Sequence, residues 1–173
     1  MKKFKPVILG LLLATNSFAQ NHYEVLVERP GEKSLKGIIY RSVLENDTSF
    51  KWYGSNFKAY SPRPDAMEAL KKNADSIQLL VFMGTWCEDS HFIIPKLYSL
   101  TDAAGYPQDH ITLIGVDRNK KTHSHLTEAL DVKNVPTIIV YKNGKELGRI
   151  VEYGKYGMFD KELAEIINTA DKR

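Results

Sequence analysis

The chain of 173 residues contains one cysteine. A single thiol excludes an intramolecular disulfide and any zinc site built on several cysteines. An excess of positive charge is also missing once the first segment is set aside. Lys2, Lys3 and Lys5 are the only charges before Asn21, so of 24 basic residues 21 remain beyond Ala19, against 21 acidic ones. A neutral mature chain argues against nucleic acid, and weakens an anionic membrane surface, as expected partners, because both require net or clustered positive charge. Long hydrophobic runs are absent too. The apolar stretch 7–14 (VILGLLLA) falls short of the about 20 residues a membrane-spanning helix needs. No repeat, low-complexity segment or long linker interrupts the rest, and the length suits one domain with its own core.

Within the first twenty residues, three lysines precede the apolar stretch, and Ser17-Phe18-Ala19 places small residues before Gln20. This order predicts a signal peptide over residues 1–19, without the cysteine that a lipid anchor would need after the cleavage point. The mature protein is expected to cross the inner membrane and to be soluble in the periplasm.

Residues 23–29 (YEVLVER) alternate as a half-buried strand does, and residues 35–44 are expected to supply a second strand after the turn at Pro30-Gly31. Residues 46–64 read as an irregular, aromatic-rich segment, with Phe50, Trp52, Tyr53, Phe57 and Tyr60 forming a packing cap. A helix follows Pro64 to about Asn73. These features place an N-terminal extension over residues 20–74 and the main domain over 75–173.

From Ile77 the pattern changes. Residues 77–83 (IQLLVFM) and 111–116 (ITLIGV) read as strands buried on both faces. Residues 87–104 read as a helix interrupted at Pro95, and residues 122–130 as a short helix. Residues 137–141 and 145–151 flank Asn143-Gly144 as a hairpin, and residues 156–170 close the chain as an amphipathic helix. The order predicts an α/β fold, a mixed sheet flanked by helices.

The segment Gly84-Thr85-Trp86-Cys87-Glu88-Asp89-Ser90 lies between a buried strand and a helix. At a helix N-terminus, unpaired backbone N–H groups and the macrodipole favour thiolate, the nucleophile of disulfide exchange. Glu88 and Asp89 oppose that effect, so the sign of the net shift stays open. Ser90, one turn on, is placed to hydrogen-bond the sulfur. His91, four residues from Cys87, reads either as an imidazolium partner of the thiolate or as a surface histidine. His123 and His125 fall on different helical faces without a further ligand nearby, and no motif implies a metal or cofactor. Asp117–Lys121 reads as a solvated charged loop, and Asp102, Glu128 and Asp160 show no acid–base pairing.

Trp86-Cys87-Glu88-Asp89-Ser90 with Pro95 eight residues after the cysteine, Val135-Pro136-Thr137, and the Asn143-Gly144 hairpin together resemble the thioredoxin-like superfamily. The resemblance spans about residues 77–170. Gly84-Thr85-Trp86-Cys87 with Asp89-Ser90, taken with Gly115-Val116-Asp117-Arg118, is similar to a group of exported bacterial thioredoxin family proteins with N-terminal extensions. The resemblance implies a thioredoxin-like fold and assigns roles. Cys87 corresponds to the attacking thiol, Trp86 to the ring flanking it, Pro136 to the family's cis-proline, and Val135 to the residue offering backbone hydrogen bonds to an extended substrate.

Two departures shape the expected function. Ser90 stands in place of the resolving cysteine, and Val81 in place of the family's buried acid. A mixed disulfide on Cys87 then persists until an external thiol attacks it, which excludes a dithiol reductase cycle. The expected activity is monothiol exchange, of isomerase or thiol-transfer type, on proteins or low-molecular-weight thiols. The alternative is a redox-inactive binding module that uses the groove beside Pro136. A Cys87-linked dimer is a further expectation for the lone thiol.

Overall fold

The computed structural model describes residues 22–169. The expected signal segment and the last four residues lie outside them. The elements run β1 (Tyr23–Leu26), β2 (Ser34–Ile38), α1 (Arg41–Asn46), α2 (Trp52–Lys58), α3 (Pro64–Lys72) and β3 (Ile77–Met83). They continue with α4 (Glu88–Ala103), β4 (Ile111–Gly115), α5 (Leu126–Ala129), β5 (Thr137–Lys142), β6 (Lys145–Val151) and α6 (Phe159–Thr169).

The six strands form one sheet in the order β1-β2-β4-β3-β5-β6, with β3 and β4 parallel and every other pair antiparallel. This is an α/β thioredoxin-like fold with two extra N-terminal strands. The apolar run 77–83 occupies the centre because both of its faces are covered. Leu79, Val81 and Met83 enter the larger core with Leu70, Ile93, Leu97, Leu163 and Ile167. Phe82 joins a smaller core with Ile114, Val116, Val132, Val135 and Ile139, against which Trp86, Cys87 and Leu126 of α5 pack. Val81 is fully buried, opposite Leu113 on one side and Ile138 on the other.

The strand expected over residues 35–44 ends at Ile38, and a helix replaces its second half. The sheet gives the reason. β2 pairs with β4 at Gly37–Gly115 and Ile38–Ile114, and one more bond, Ile39 N–H to Leu113 O, closes the contact. A Cβ at Gly115 would lie 2.2 Å from Leu35 O, so this close crossing depends on glycine. Beyond it, Arg41 turns toward α4, donating Nη1 and Nη2 to Asp102 at 2.7 and 2.8 Å while its Nε donates to Glu45 at 2.7 Å. Its guanidinium also lies 5.3 and 5.0 Å from the Phe57 and Tyr98 ring centroids. Tertiary partners override the strand-like sequence.

The aromatic segment is not irregular either. Asp47 accepts a hydrogen bond from Ser49 N–H at 2.9 Å, starting a tight turn, and α2 follows. Phe50 and Tyr53 are buried in the larger core, and Tyr60 Oη donates to Asp160 at 2.7 Å. The rings do pack as a cap, but from a helix laid along α4.

α4 continues as one helix through Pro95, although that residue offers no N–H to the carbonyl of His91. The helix expected over 122–130 shrinks to Leu126–Ala129, because Ser124 and His125 take left-handed φ values of 54° and 52°. Positive φ at Gly154 and Gly157 likewise delays α6 to Phe159. Among the described residues no helix is long and apolar enough to cross a membrane.

Candidate active site

β3 delivers the chain to a turn in which Cys87 N–H bonds Gly84 O at 3.0 Å, and Cys87 becomes the N-cap of α4. Its side chain caps no helical N–H. The half-buried thiol instead donates to Val135 O at 3.3 Å. The Val135–Pro136 peptide bond is cis. Pro136 O accepts from Glu152 N–H at 2.7 Å, and Thr137 Oγ1 donates to Asn134 O at 2.7 Å, so the loop is held from both sides. Cys87, Val135 and Pro136 therefore converge, although Val135 and Cys87 are 48 positions apart in the chain.

Ser90 does not turn to the sulfur. It is fully buried, and its Oγ accepts from Gly84 N–H at 3.2 Å, binding the end of β3 to the first turn of α4. A small hydrogen-bonding side chain thus occupies the position of a second thiol.

His91 is also engaged away from the thiol. Its Nε2 lies 2.7 Å from Thr85 O, and a carbonyl can only accept, so this nitrogen carries the proton. The ring stacks on Trp52 at 4.2 Å between centroids and 13° between planes. Burial holds the imidazole below its ordinary pKa, outweighing the bond to Thr85 and the charges of Glu88 and Glu32. The geometry gives the ring partners other than the sulfur: His91 braces the extension against the turn through Thr85 O and Trp52.

Several contacts escaped the sequence reading. Trp86 Nε1 donates to Val116 O at 2.9 Å, and a Cβ at Gly84 would lie 2.6 Å from the indole. The Arg118 guanidinium sits 5.2 Å from the Trp86 ring centroid. Arg118 comes from the loop read as merely solvated. That loop is shaped by Asp117, which accepts from Asn119 N–H at 3.0 Å and Lys121 N–H at 2.9 Å and pairs with Lys36 at 3.0 Å. Burial alone would raise the Asp117 pKa, but these hydrogen bonds and Lys36 hold it below the usual carboxylate range. Tyr153, on the turn after β6, stacks obliquely on Phe92 at 5.7 Å, and its phenol is pushed up by burial and then by Asp89. The contacts of Trp86 with Val116 and Arg118, of Asp117 with Lys36 and of Tyr153 with Phe92 have no local sequence signal, because each joins segments distant in the chain.

His123 Nε2 faces Lys36 O at 3.2 Å, and His125 lies 3.6 Å from Glu128. Among the described residues no group of three or more His, Cys, Asp or Glu side chains is placed to hold a metal ion.

A sheet of this order with a lone thiol at the start of a helix and a cis-proline beside it defines a thioredoxin-like protein carrying one of the usual two sulfurs. The thioredoxin family profile matches residues 64–167, more than half of the chain. The protein belongs to the thioredoxin family. A thioredoxin of Chlamydia pneumoniae is 34% identical over 96 residues, covering 55% of this chain and 83% of that protein. A Staphylococcus aureus thioredoxin is 33% identical over 99 residues, covering 56% and 85%. In fold, the chain is similar to the crystal structure of a protein of unknown function from Pseudomonas aeruginosa. The TM-score is 0.55 at 16% identity, over 76% of this chain and 92% of that one. An HIV epitope scaffold gives a TM-score of 0.54 at 15% identity, over 78% and 92%.

Proposed function

We propose that the protein carries out monothiol thiol–disulfide exchange through Cys87, of isomerase or thiol-transfer type, on exported proteins or low-molecular-weight thiols. The observation that carries this reading is the placement of one half-buried thiol at the N-cap of a sixteen-residue helix, 3.3 Å from the carbonyl before Pro136. At the N-cap, the positive end of the helix dipole favours thiolate, while Glu88 and Asp89 in the first turn act against it.

The step is a displacement. Cys87 loses its proton to solvent, and the sulfur attacks one sulfur of a client disulfide. A Cys87–client bond forms, the client S–S bond breaks, and the departing sulfur leaves as a thiolate that takes up a proton. Cys87 is oxidised to the mixed-disulfide level as the leaving sulfur is reduced. With Ser90 buried on Gly84 and Val81 apolar, neither a second thiol nor a carboxyl assists release. A client thiol or a small external thiol must attack the mixed disulfide, which gives isomerisation or transfer without net reduction.

In this reading residues 1–19 direct export and are removed, residues 20–74 form the extension, and 75–173 the thioredoxin-like unit. Trp86 and Ser90 support the site, and Val135 presents its backbone to an extended client. The test is mass spectrometry of the purified chain mixed with a disulfide reagent near neutral pH. A mixed disulfide on Cys87 that forms faster than on an unfolded control peptide is the expected result. Equal rates would defeat the reading.

A second reading, a binding module that keeps the groove beside Pro136 but not redox turnover, draws on one observation. The thiol donates its proton to the Val135 carbonyl, a bond that a thiolate cannot make. Under that reading Cys87→Ala leaves partner binding intact, whereas the exchange reading requires its loss.

A further inference from the structure

The residues around Cys87 are held by segments that the thioredoxin profile does not include. Arg118 lies over Trp86, and its guanidinium forms a two-pronged pair with the Glu32 carboxylate, Nε to Oε1 at 3.0 Å and Nη2 to Oε2. Its backbone N–H donates to Glu28 Oε1 at 3.2 Å. Both glutamates sit between β1 and β2. Immediately before Trp86, the Thr85 hydroxyl donates to Lys33 O at 3.1 Å and accepts from Leu35 N–H at 2.9 Å. In the first turn of α4, four residues after the thiol, His91 is braced by Trp52. The extension therefore meets the active-site segment directly at Thr85 and His91, and at Trp86 through Arg118. Of these, Trp86 is the one the family resemblance places against the client.

We propose that Arg118 and Glu32 act together as a positioning pair that clamps the Trp86 ring and thereby tunes Cys87 for polypeptide clients over small disulfides. The inference rests on the exchange reading above. Because Glu32 neutralises Arg118, the pair is unsuited to drawing in an anionic ligand by its charge. What it offers is shape: a planar, two-pronged guanidinium seated on an indole and tied to the extension. A pocket of about 320 Å³ lined by Glu32, Lys33, Trp52, Thr85, Trp86 and His91 opens on the same flank. A polypeptide bonded to Cys87 and leaving away from Val135 crosses this flank. A small disulfide reaches the sulfur without touching it. Orientation by the clamp therefore matters for the first and not for the second.

The test measures trapping of Cys87 mixed disulfides with insulin and with bis(2-hydroxyethyl) disulfide, on the full chain. Glu32→Gln and Arg118→Gln are each expected to slow insulin capture about fivefold and the small disulfide less than about twofold, with the double variant no slower than the worse single one. Arg118→Lys keeps the charge but lacks the fork, and is expected to behave as Arg118→Gln does. In a Trp52→Phe background, where Trp86 is the remaining tryptophan, Glu32→Gln is expected to shift the emission of Trp86 and increase its quenching by acrylamide. Equal slowing of both probes, additive single effects, recovery with Arg118→Lys, or unchanged Trp86 emission would each overturn the clamp. If the unaltered chain captures neither probe, the exchange reading itself falls and the clamp with it. If it captures both and the variants match it, exchange stands and the clamp alone is lost.

Discussion

The two flanks of Cys87 are built by different means. On the Val135–Pro136 side the contacts to the sulfur and its loop are largely backbone: Val135 O meets the thiol, and Pro136 O meets Glu152 N–H. On the Trp86 side they are side chains, several supplied by the extension: Glu28, Glu32 and Trp52, with Arg118 and His91 as intermediaries. Backbone contacts depend on chain geometry and tolerate sequence change. Side-chain contacts across segments depend on the identity of both partners. The difference teaches that the family match contains the thiol and both walls of its site, while part of what holds the Trp86 wall, Glu32, Lys33 and Trp52, lies in residues the match leaves out.

The largest expected effect removes what the flanks share. Cys87→Ser is expected to abolish mixed-disulfide formation with every disulfide reagent, read as an unchanged intact mass. Next comes the question of whether the extension is as much a part of the core as the family unit. Leu44 of α1 and Leu97 of α4 are both essentially fully buried in one cluster. Leu44→Ala and Leu97→Ala are each expected to cost about 2–5 kcal/mol in one cooperative denaturant transition followed by circular dichroism. A separate early transition in the Leu44 variant would break the comparison, by showing an extension that unfolds alone.

A smaller effect concerns the side where Ser90 replaces a thiol. Ser90→Cys is expected to close a disulfide to Cys87 and to shorten the life of a mixed disulfide about tenfold or more, measured by acid trapping and mass. The smallest is a pH effect on the brace. The His91 pKa is lower in the folded chain than in the unfolded one. Its contribution is therefore complete above about pH 6.5, the ordinary histidine value, and diminishes as the pH falls from there toward the folded-state pKa. Against His91→Gln, which keeps a donor for Thr85 O, the unaltered chain should lose more stability between pH 7 and 5. Parallel curves would show that the brace does not titrate.

Much of the central fold was legible because its signals are local. The apolar run 77–83, the Asn143-Gly144 turn and the periodicity of residues 159–167 each specify an element from neighbouring residues alone. Pro95 and Val135-Pro136-Thr137 added meaning through their spacing from Cys87. Residues 39–58 were misread for a physical reason. Ile38, Ile39 and Tyr40 suit a strand, yet β2 leaves β4 after the bond from Ile39 N–H to Leu113 O, and Arg41 finds Asp102 sixty-one positions away. The thiol and the cis-proline could be picked out by motif. Thr85 and Arg118 lie within the motifs, yet their contacts with Lys33, Leu35 and Glu32, like that of Trp52 with His91, could not be read there, because pairing across the fold makes them.

The antiparallel seat of β2 on β4 has a consequence for solubility. In the strand order β1-β2-β4-β3-β5-β6, removing the first two strands would turn Ile111–Gly115 into a border with bare N–H and C=O groups. Such a border is a template for another chain to add to. The extension instead moves the border outward to Tyr23–Leu26, a strand only four residues long that carries Glu24. Short length and charge both discourage edge-to-edge growth. The segment that helps hold one wall of the thiol site thus also protects the sheet from aggregation, so shortening the chain to its family-matched part would sacrifice both at once.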